Sequence, residues 1–141
     1  MSTVVQLWVM ADDLASRVLL VMPQQWHRSL LRAQLRELGY DALGAPDLEG
    51  ALLYPITESE RGPVGLILVD QQALVAGDHT LLKHLLERHG QPPSLLITPA
   101  GRRPAAGQWT QVVTRPVSIA DLVAWVRRLL PRSPGPSGPI E

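Results

Sequence analysis

Short aliphatic runs alternate with helical patterns along most of the chain. Five runs predict strands, and they lie at residues 17–22, 40–45, 63–70, 94–98 and 111–114. The clearest of them are apolar at every position rather than at every second one, which is typical of strands covered by helices on both faces. Strands that alternate with helices indicate a parallel α/β sheet.

Leucine and other apolar residues spaced three and four positions apart predict the helices between these strands. The helical patterns begin near Trp26, Leu48, Leu81 and Ile119. Asp47 and Asp78 are expected to be N-caps, and Ser118 with Asp121 three residues later predicts a variant of the capping box. Gly39 is expected to end the first helix.

The segment between the fourth and fifth strands does not follow this pattern. It carries helix-breaking residues at four positions, which are Pro99, Gly101, Pro104 and Gly107. Such residues make a long helix unfavourable. We therefore expect a loop or a much shortened helix there.

Composition and charge narrow the class of protein. The 141 residues contain 13 basic and 13 acidic side chains and no cysteine, which argues against a non-specific nucleic-acid or membrane-surface binder and excludes disulfides and thiolate metal sites. The apolar stretch Val4–Met10 lacks a basic leader and is too short for a membrane span. We expect a cytoplasmic protein with an extension at 1–16, one domain at 17–130 and a flexible Pro/Gly/Ser-rich tail or linker at 131–141.

The four histidines do not predict a metal site. His84 and His89 are five residues apart, so they do not share a helical face, and we expect exposed helix positions for them. Trp26 is expected to pack in or at the edge of the core.

Several stretches resemble the receiver domain of two-component response regulators when their order and spacing are considered together. They are RVLLVMPQQWHRSLLRAQLRELGY, LILVDQQALVAGDHTLLKHL, LLIT and TRPVSIADLVAWVRRLL. The resemblance covers residues 17–130. It implies a flavodoxin-like, doubly wound, five-stranded parallel sheet of order 2-1-3-4-5, here with the fourth helix of that fold shortened or lost.

The resemblance also implies a site at the carboxyl ends of the strands. In receiver domains an acidic pair after the first strand and an Asp ending the third hold Mg²⁺, and that Asp accepts a phosphoryl group from a histidine kinase. Asp70 matches the acceptor position and Thr98 the phosphate-binding hydroxyl. Arg115 and Pro116 stand where the family carries Lys-Pro.

Departures from the family pattern change what this site can do. Met22 and Pro23 occupy the positions of the acidic pair, and neither a thioether nor a pyrrolidine ring suits Mg²⁺, which requires oxygen ligands. We therefore predict that the magnesium site is lost, that no metal or other cofactor is used, and that Asp70 pairs with Arg115. Val112 stands where the family carries its reporting aromatic residue.

Tryptophan and arginine residues near the altered segment are candidates for contact with a protein partner, since both types are enriched at binding hot spots. The candidates are Arg102, Arg103, Trp109, Trp125 and Arg128. The alternative is that these residues bind no partner and form only a solvated rim with one half-buried indole. A homodimer, through the rebuilt face or the amino-terminal segment, also stays open.

Three functions follow from these observations. The main hypothesis is a degenerate receiver, or pseudo-receiver: a signalling module that is not an enzyme and acts by binding a protein, without Mg²⁺-dependent phosphorylation. The alternative is a receiver that still accepts phosphate on Asp70. A flavodoxin-like small-molecule binder ranks last, because the chain has no glycine-rich phosphate loop.

Overall fold

A parallel five-stranded sheet organises the part of the chain that the computed structural model describes, which is residues 17–54, 64–75 and 78–131. The strands are β1 (Arg17–Val21), β2 (Asp41–Ala45), β3 (Leu66–Asp70), β4 (Ser94–Thr98) and β5 (Gln111–Thr114). Their order is β2-β1-β3-β4-β5, and all four pairings are parallel. The predicted fold class and strand order are therefore confirmed.

Three α-helices connect the described strands, and a fourth follows β5. They are α1 (Gln25–Glu37), α2 (Leu48–Leu52), α3 (His79–Arg88) and α4 (Ile119–Leu129). A short 3₁₀ turn, Gln71–Ala73, follows β3 directly. No helix lies between β4 and β5, where all residues are described, so the predicted loss of the fold's fourth helix is confirmed.

Local side-chain contacts begin and end these helices much as the sequence predicts. Asp47 Oδ1 accepts the Gly50 N–H at 2.7 Å. Ser118 Oγ accepts the Asp121 N–H at 3.0 Å, and the Asp121 carboxylate accepts the Ser118 N–H at 3.5 Å, which completes the capping box. Gly39 follows α1 with a φ of 93°, a conformation that glycine adopts without steric cost.

Asp78 occupies the N-cap position of α3, as the sequence predicts, but its side chain does not cap the helix. Oδ2 instead accepts the backbone N–H of Val75 at 3.0 Å. The same short acidic side chain can satisfy a backbone donor on either side, and here Val75 supplies it.

The sheet separates two apolar cores. One lies under α1 and α4, and the other under α2 and α3. On the first face the buried strand residues of β1, β3 and β4 are Val18, Leu20, Leu66, Leu68, Leu95 and Ile97. On the second they are Leu19, Val21, Ile67, Val69 and Leu96. Neighbouring strand residues point to opposite faces, so a strand between two helical layers must be apolar throughout.

Two packing expectations are wrong. Trp26 is 76% exposed, because it lies roughly 140° around α1 from the buried Leu31 at 3.6 residues per turn. His89 is only 4% exposed. It follows the last turn of α3, and its Nδ1 accepts the backbone N–H of Val64 at 3.1 Å.

Predictions for the two ends of the chain lie outside the described residues. These concern the amino-terminal extension at 1–16 and the tail after Pro131. Within the part of the chain that is described, no helix is long and apolar enough to cross a bilayer.

Candidate functional site

The carboxyl ends of β3, β4 and β5 bring three of the candidate residues to one edge of the sheet. Asp70 ends β3, Thr98 ends β4, and Arg115 follows the last residue of β5. Parallel pairing places Asp70 opposite Ile97 and Thr98 opposite Thr114. The backbone N–H of Arg115 donates to the Thr98 carbonyl at 2.9 Å. Open α/β sheets commonly place their ligands at this edge.

Asp70 and Arg115 form the ion pair that the sequence predicts. Arg115 Nη2 donates to Asp70 Oδ2, while Asp70 Oδ1 accepts the backbone N–H of Gln72 at 3.0 Å. The Asp70 side chain is 1% exposed and that of Arg115 is 25% exposed. One guanidinium N–H reaches the carboxylate, so the pair lacks the two parallel bonds that arginine and a carboxylate often form.

Met22 and Pro23 follow β1 at the same edge of the sheet. Met22 is 1% exposed and belongs to the first apolar core, while Pro23 is half-buried. The Met22 carbonyl oxygen accepts a hydrogen bond from Arg28 Nη1 at 2.6 Å. A second guanidinium therefore lies close to an edge that carries one buried carboxylate.

Thr98 is 1% exposed, and its hydroxyl Oγ1 has no hydrogen-bond partner among the described residues. Such orphaned groups are uncommon in folded proteins. Pro116 is exposed and follows Arg115 through a cis peptide bond. Val112 is half-buried and packs against the second core, where its short side chain cannot swing between two positions as an aromatic ring can.

Gln71, which the sequence analysis did not single out, holds the segment between β4 and β5. Its Nε2 donates to the Arg103 carbonyl at 3.0 Å, and its Oε1 accepts the Ala105 N–H at 3.1 Å. Both contacts bridge more than thirty positions, so no local pattern could have revealed them. The residue after Asp70 thus ties the strand end to the segment that replaces the helix.

The partner-binding candidates lie in more than one place. Arg102 and Arg103 are exposed on the segment between β4 and β5. Trp109 packs against the second core and donates its indole N–H to the Ala105 carbonyl at 2.9 Å. Trp125 packs against the first core, with the Arg128 guanidinium 4.6 Å from its ring centroid. The two indoles therefore lie on opposite faces of the sheet and do not form a single patch.

A groove of about 630 Å³ lies beside the segment that replaces the helix. One wall is α3, with His79, Lys83 and Glu87 along its rim, and the other includes Gln108 and Thr110. The groove lies on the same side of the sheet as Trp109, because α3 and Trp109 both pack against the second core. The absence of a helix in this segment thus leaves a concave surface.

Metal-binding side chains do not cluster at this edge. Among residues 17–54, 64–75 and 78–131, no group of three or more His, Asp or Glu side chains is placed to hold a metal ion. The groups near Asp70 are a thioether, a proline ring, the neutral Thr98 hydroxyl, and carbonyl and carboxylate oxygens that already accept hydrogen bonds. This set does not suit Mg²⁺.

Comparisons with solved structures identify the fold. The receiver domain of the hybrid histidine kinase CckA is 28% identical over 81% of this chain and 98% of its own, with a TM-score of 0.61. The chemotaxis protein CheY4 of Vibrio cholerae is 19% identical over 82% and 99%, with a TM-score of 0.64. The receiver domain of the sensor histidine kinase PA1611 from Pseudomonas aeruginosa is 18% identical over 82% and 98%, with a TM-score of 0.61, and holds a magnesium ion in its active-site cleft.

These structures are response regulator receiver domains, and this chain has their fold. A search of protein-family models and of curated sequences finds no match.

Proposed function

We propose that this chain is a degenerate receiver domain, which acts in signal transduction by binding a protein partner and does not undergo Mg²⁺-dependent phosphorylation. The observation that carries the proposal is the ion pair between Asp70 and Arg115. The position that accepts the phosphoryl group in the receiver family is here already neutralised by a permanent cation, because arginine stays protonated in proteins.

Charge balance supports this reading. A receiver with three carboxylates and one lysine needs a divalent cation, since the carboxylates repel one another. Here Asp70 is the one buried acidic side chain at this edge among the described residues, and Arg115 and Arg28 both lie close to the edge. A magnesium ion would have to compete with Arg115 for the Asp70 carboxylate. It would also meet a thioether at the position where receiver domains provide acidic side chains.

Loss of the metal would remove most of what phosphoryl transfer to Asp70 requires. In phosphoryl transfer a metal ion offsets the negative charge that builds on the equatorial oxygens and positions the reactants. Neither Met22 nor Pro23 can supply that charge. The proposed domain is accordingly not an enzyme and uses no cofactor.

A protein partner is the remaining route for a signal. We place it on the groove beside α3 and on the exposed Arg102 and Arg103, because this surface differs from that of a receiver with its fourth helix. Trp125 and Arg128 offer a second surface on the other side of the sheet. The cytoplasm is the proposed location.

One observation favours the second candidate, a receiver that still takes phosphate on Asp70. The Thr98 hydroxyl is buried and has no partner among the described residues. A phosphoryl oxygen on Asp70 would satisfy it. Arg115 would then have to exchange the carboxylate for the phosphoryl group.

Intact mass spectrometry after incubation with phosphoramidate and Mg²⁺ separates the two candidates. We expect no adduct on the unaltered chain, and an adduct of one phosphate that disappears with Asp70→Asn would refute the degenerate receiver. The receiver domain of PA1611, which coordinates a magnesium ion in its active-site cleft, is treated in parallel for comparison.

A restored variant sharpens the test. Met22→Asp, Pro23→Asp and Arg115→Lys together rebuild the family pattern at this edge, and calorimetry should then detect Mg²⁺ uptake that the unaltered chain lacks. Equal uptake by both chains contradicts the argument from charge balance. Circular dichroism establishes that the variant is folded before its binding is compared.

A further inference from the structure

The groove beside α3 combines an apolar lining with rim charges that offset one another. Leu82 and Leu86 are among its lining residues. Lys83 and Glu87, on the rim, carry opposite charges and stand one helical turn apart. A second cavity, of about 330 Å³, shares Leu82 with the groove and continues it toward the start of α3. Such a surface suits an uncharged apolar ligand better than an ion.

The second core is incompletely covered on this side of the sheet. Leu86, Trp109 and Val112 pack against it but are only partly buried. The segment between β4 and β5, which is described throughout, contains no helix that could cover them. Apolar surface of this kind often marks a binding site, and apolar grooves commonly accept a single peptide segment.

The chain itself carries a segment that fits this surface and can reach it. Residues 4–10, here called the apolar segment, contain six apolar residues and no charge, and six further residues connect them to Arg17 at the start of β1. Ser94, which lines the groove, starts β4 at the same end of the sheet, two strands away from β1. That separation is about 10 Å at the usual strand spacing, whereas six extended residues span about 20 Å.

We propose that the apolar segment docks in the groove of its own chain and covers the part of the second core that lacks a helix. Seven extended residues measure about 23 Å, and the ten residues of α3 measure about 15 Å, so the segment is long enough to follow the groove along the helix. A short tether gives an effective concentration on the order of 1 mM. In dilute solution this favours the chain's own segment over that of a second copy.

Docking makes the apolar segment a competitor for the surface on which we place the protein partner. A partner that binds the groove must displace the segment, and its binding is then coupled to release of the amino terminus. The docking itself requires neither magnesium, nor a phosphoryl group on Asp70, nor a partner. The phosphoramidate experiment and the test of docking can therefore fail separately.

Paramagnetic broadening of NMR signals in the full chain tests the proposal. Because the chain has no cysteine, a nitroxide can be attached specifically at His84→Cys, which is exposed on α3 and does not line the groove. Ser29→Cys, exposed on α1, carries the control label. The label at position 84 should remove the indole N–H signal of Trp8, and the label at position 29 should leave it. Equal broadening by both labels, or by neither, overturns the proposal.

Mixing labelled and unlabelled chains distinguishes docking within one chain from exchange between two. The labelled, ¹⁵N-enriched chain is diluted with an excess of unlabelled chain at natural isotope abundance. The loss of the Trp8 signal should persist, because label and indole belong to the same molecule. A signal that returns on dilution means that the segment binds a second copy, which refutes docking within the chain.

Two pairs of variants locate the contact. Ala106→Arg introduces a long charged side chain at an exposed position of the groove lining, and Ala124→Arg, exposed on α4, is its matched control. The first should restore the Trp8 signal in the chain labelled at position 84, and the second should not. Leu7→Asp should also restore it, whereas Thr3→Asp, outside the apolar segment, should not. With folding verified by circular dichroism, a signal that stays lost in Ala106→Arg or Leu7→Asp, or that returns equally in the controls, overturns the proposal.

Discussion

Replacing Arg115 with methionine tests how strongly the ion pair holds the strand edge together. Arg115→Met keeps an unbranched apolar stem and removes the charge, so Asp70 is left buried with only the Gln72 N–H as a described donor. Breaking a fully buried pair by removing one partner costs about 3–5 kcal/mol. Because the Arg115 side chain is 25% exposed, water reaches part of the pair, and we expect a loss of about 2–3 kcal/mol.

A double-mutant cycle separates the interaction energy between Asp70 and Arg115 from the effect of each substitution alone. Asp70→Asn alone should cost about 1 kcal/mol, because the amide oxygen still accepts from Gln72 while the charged hydrogen bond is lost. With Asn at position 70, adding Arg115→Met leaves no buried charge unpaired. The double variant should therefore lose about 1–2 kcal/mol, well below the sum of the two single losses.

Urea denaturation at pH 7 and 25 °C, followed by circular dichroism, measures the three losses. The slope of the unfolding free energy against urea should stay unchanged, which shows that the folded state keeps its compactness. Arg102→Met, at an exposed position, is the matched control and should change stability by less than about 0.5 kcal/mol. Losses at Asp70 and Arg115 that add within about 0.5 kcal/mol would mean that the two side chains do not interact in the folded protein.

Two further predictions concern His89 and Gln71. Burial, with the charges of Arg88 and Arg17, lowers the pKa of His89 from 6.5 to about 4, so between these values the unfolded chain binds a proton that the folded one does not. The contribution of neutral His89 to the unfolding free energy should be fully present above pH 6.5 and fall by about 3 kcal/mol as the pH decreases to 4. Urea denaturation at several pH values should find a smaller change of the unfolding free energy with pH in His89→Gln. Gln71→Ala should speed hydrogen exchange at Ala105 by at least tenfold while Ile67 in β3 stays protected, and unchanged exchange at Ala105 would show that Gln71 does not hold the segment.

Much of the fold could be predicted because its determinants are local. A strand covered on both faces must be apolar at every position, and the run Leu66–Val69 has that pattern. The proline and glycine residues after Thr98 make a long helix unfavourable in any fold, since their effect acts on the backbone itself. The order of the strands came from the resemblance to receiver domains, because periodicity does not reveal which strands are neighbours.

Predictions that depended on the direction of a side chain were less reliable. Trp26 was expected in the core or at its edge but lies on the outer face of α1, and His89 was expected at the surface but is buried. Trp26 lies on the side of α1 away from Leu31, and His89 follows the end of α3, so burial at both positions depends on neighbours distant in sequence. For His89 the deciding neighbour is the backbone of Val64.

By itself, the sequence determined the chemistry available at the strand ends: one carboxylate, one hydroxyl, an arginine, and a methionine and proline in place of two acids. The tertiary structure alone decided how these groups meet. Only parallel pairing of β3, β4 and β5 brings Asp70, Thr98 and Arg115 to one edge, and only the placement of α3 beside the segment between β4 and β5 forms the groove. Distances between residues far apart in the chain depend on the whole fold, whereas the identity of each side chain is set at its own position.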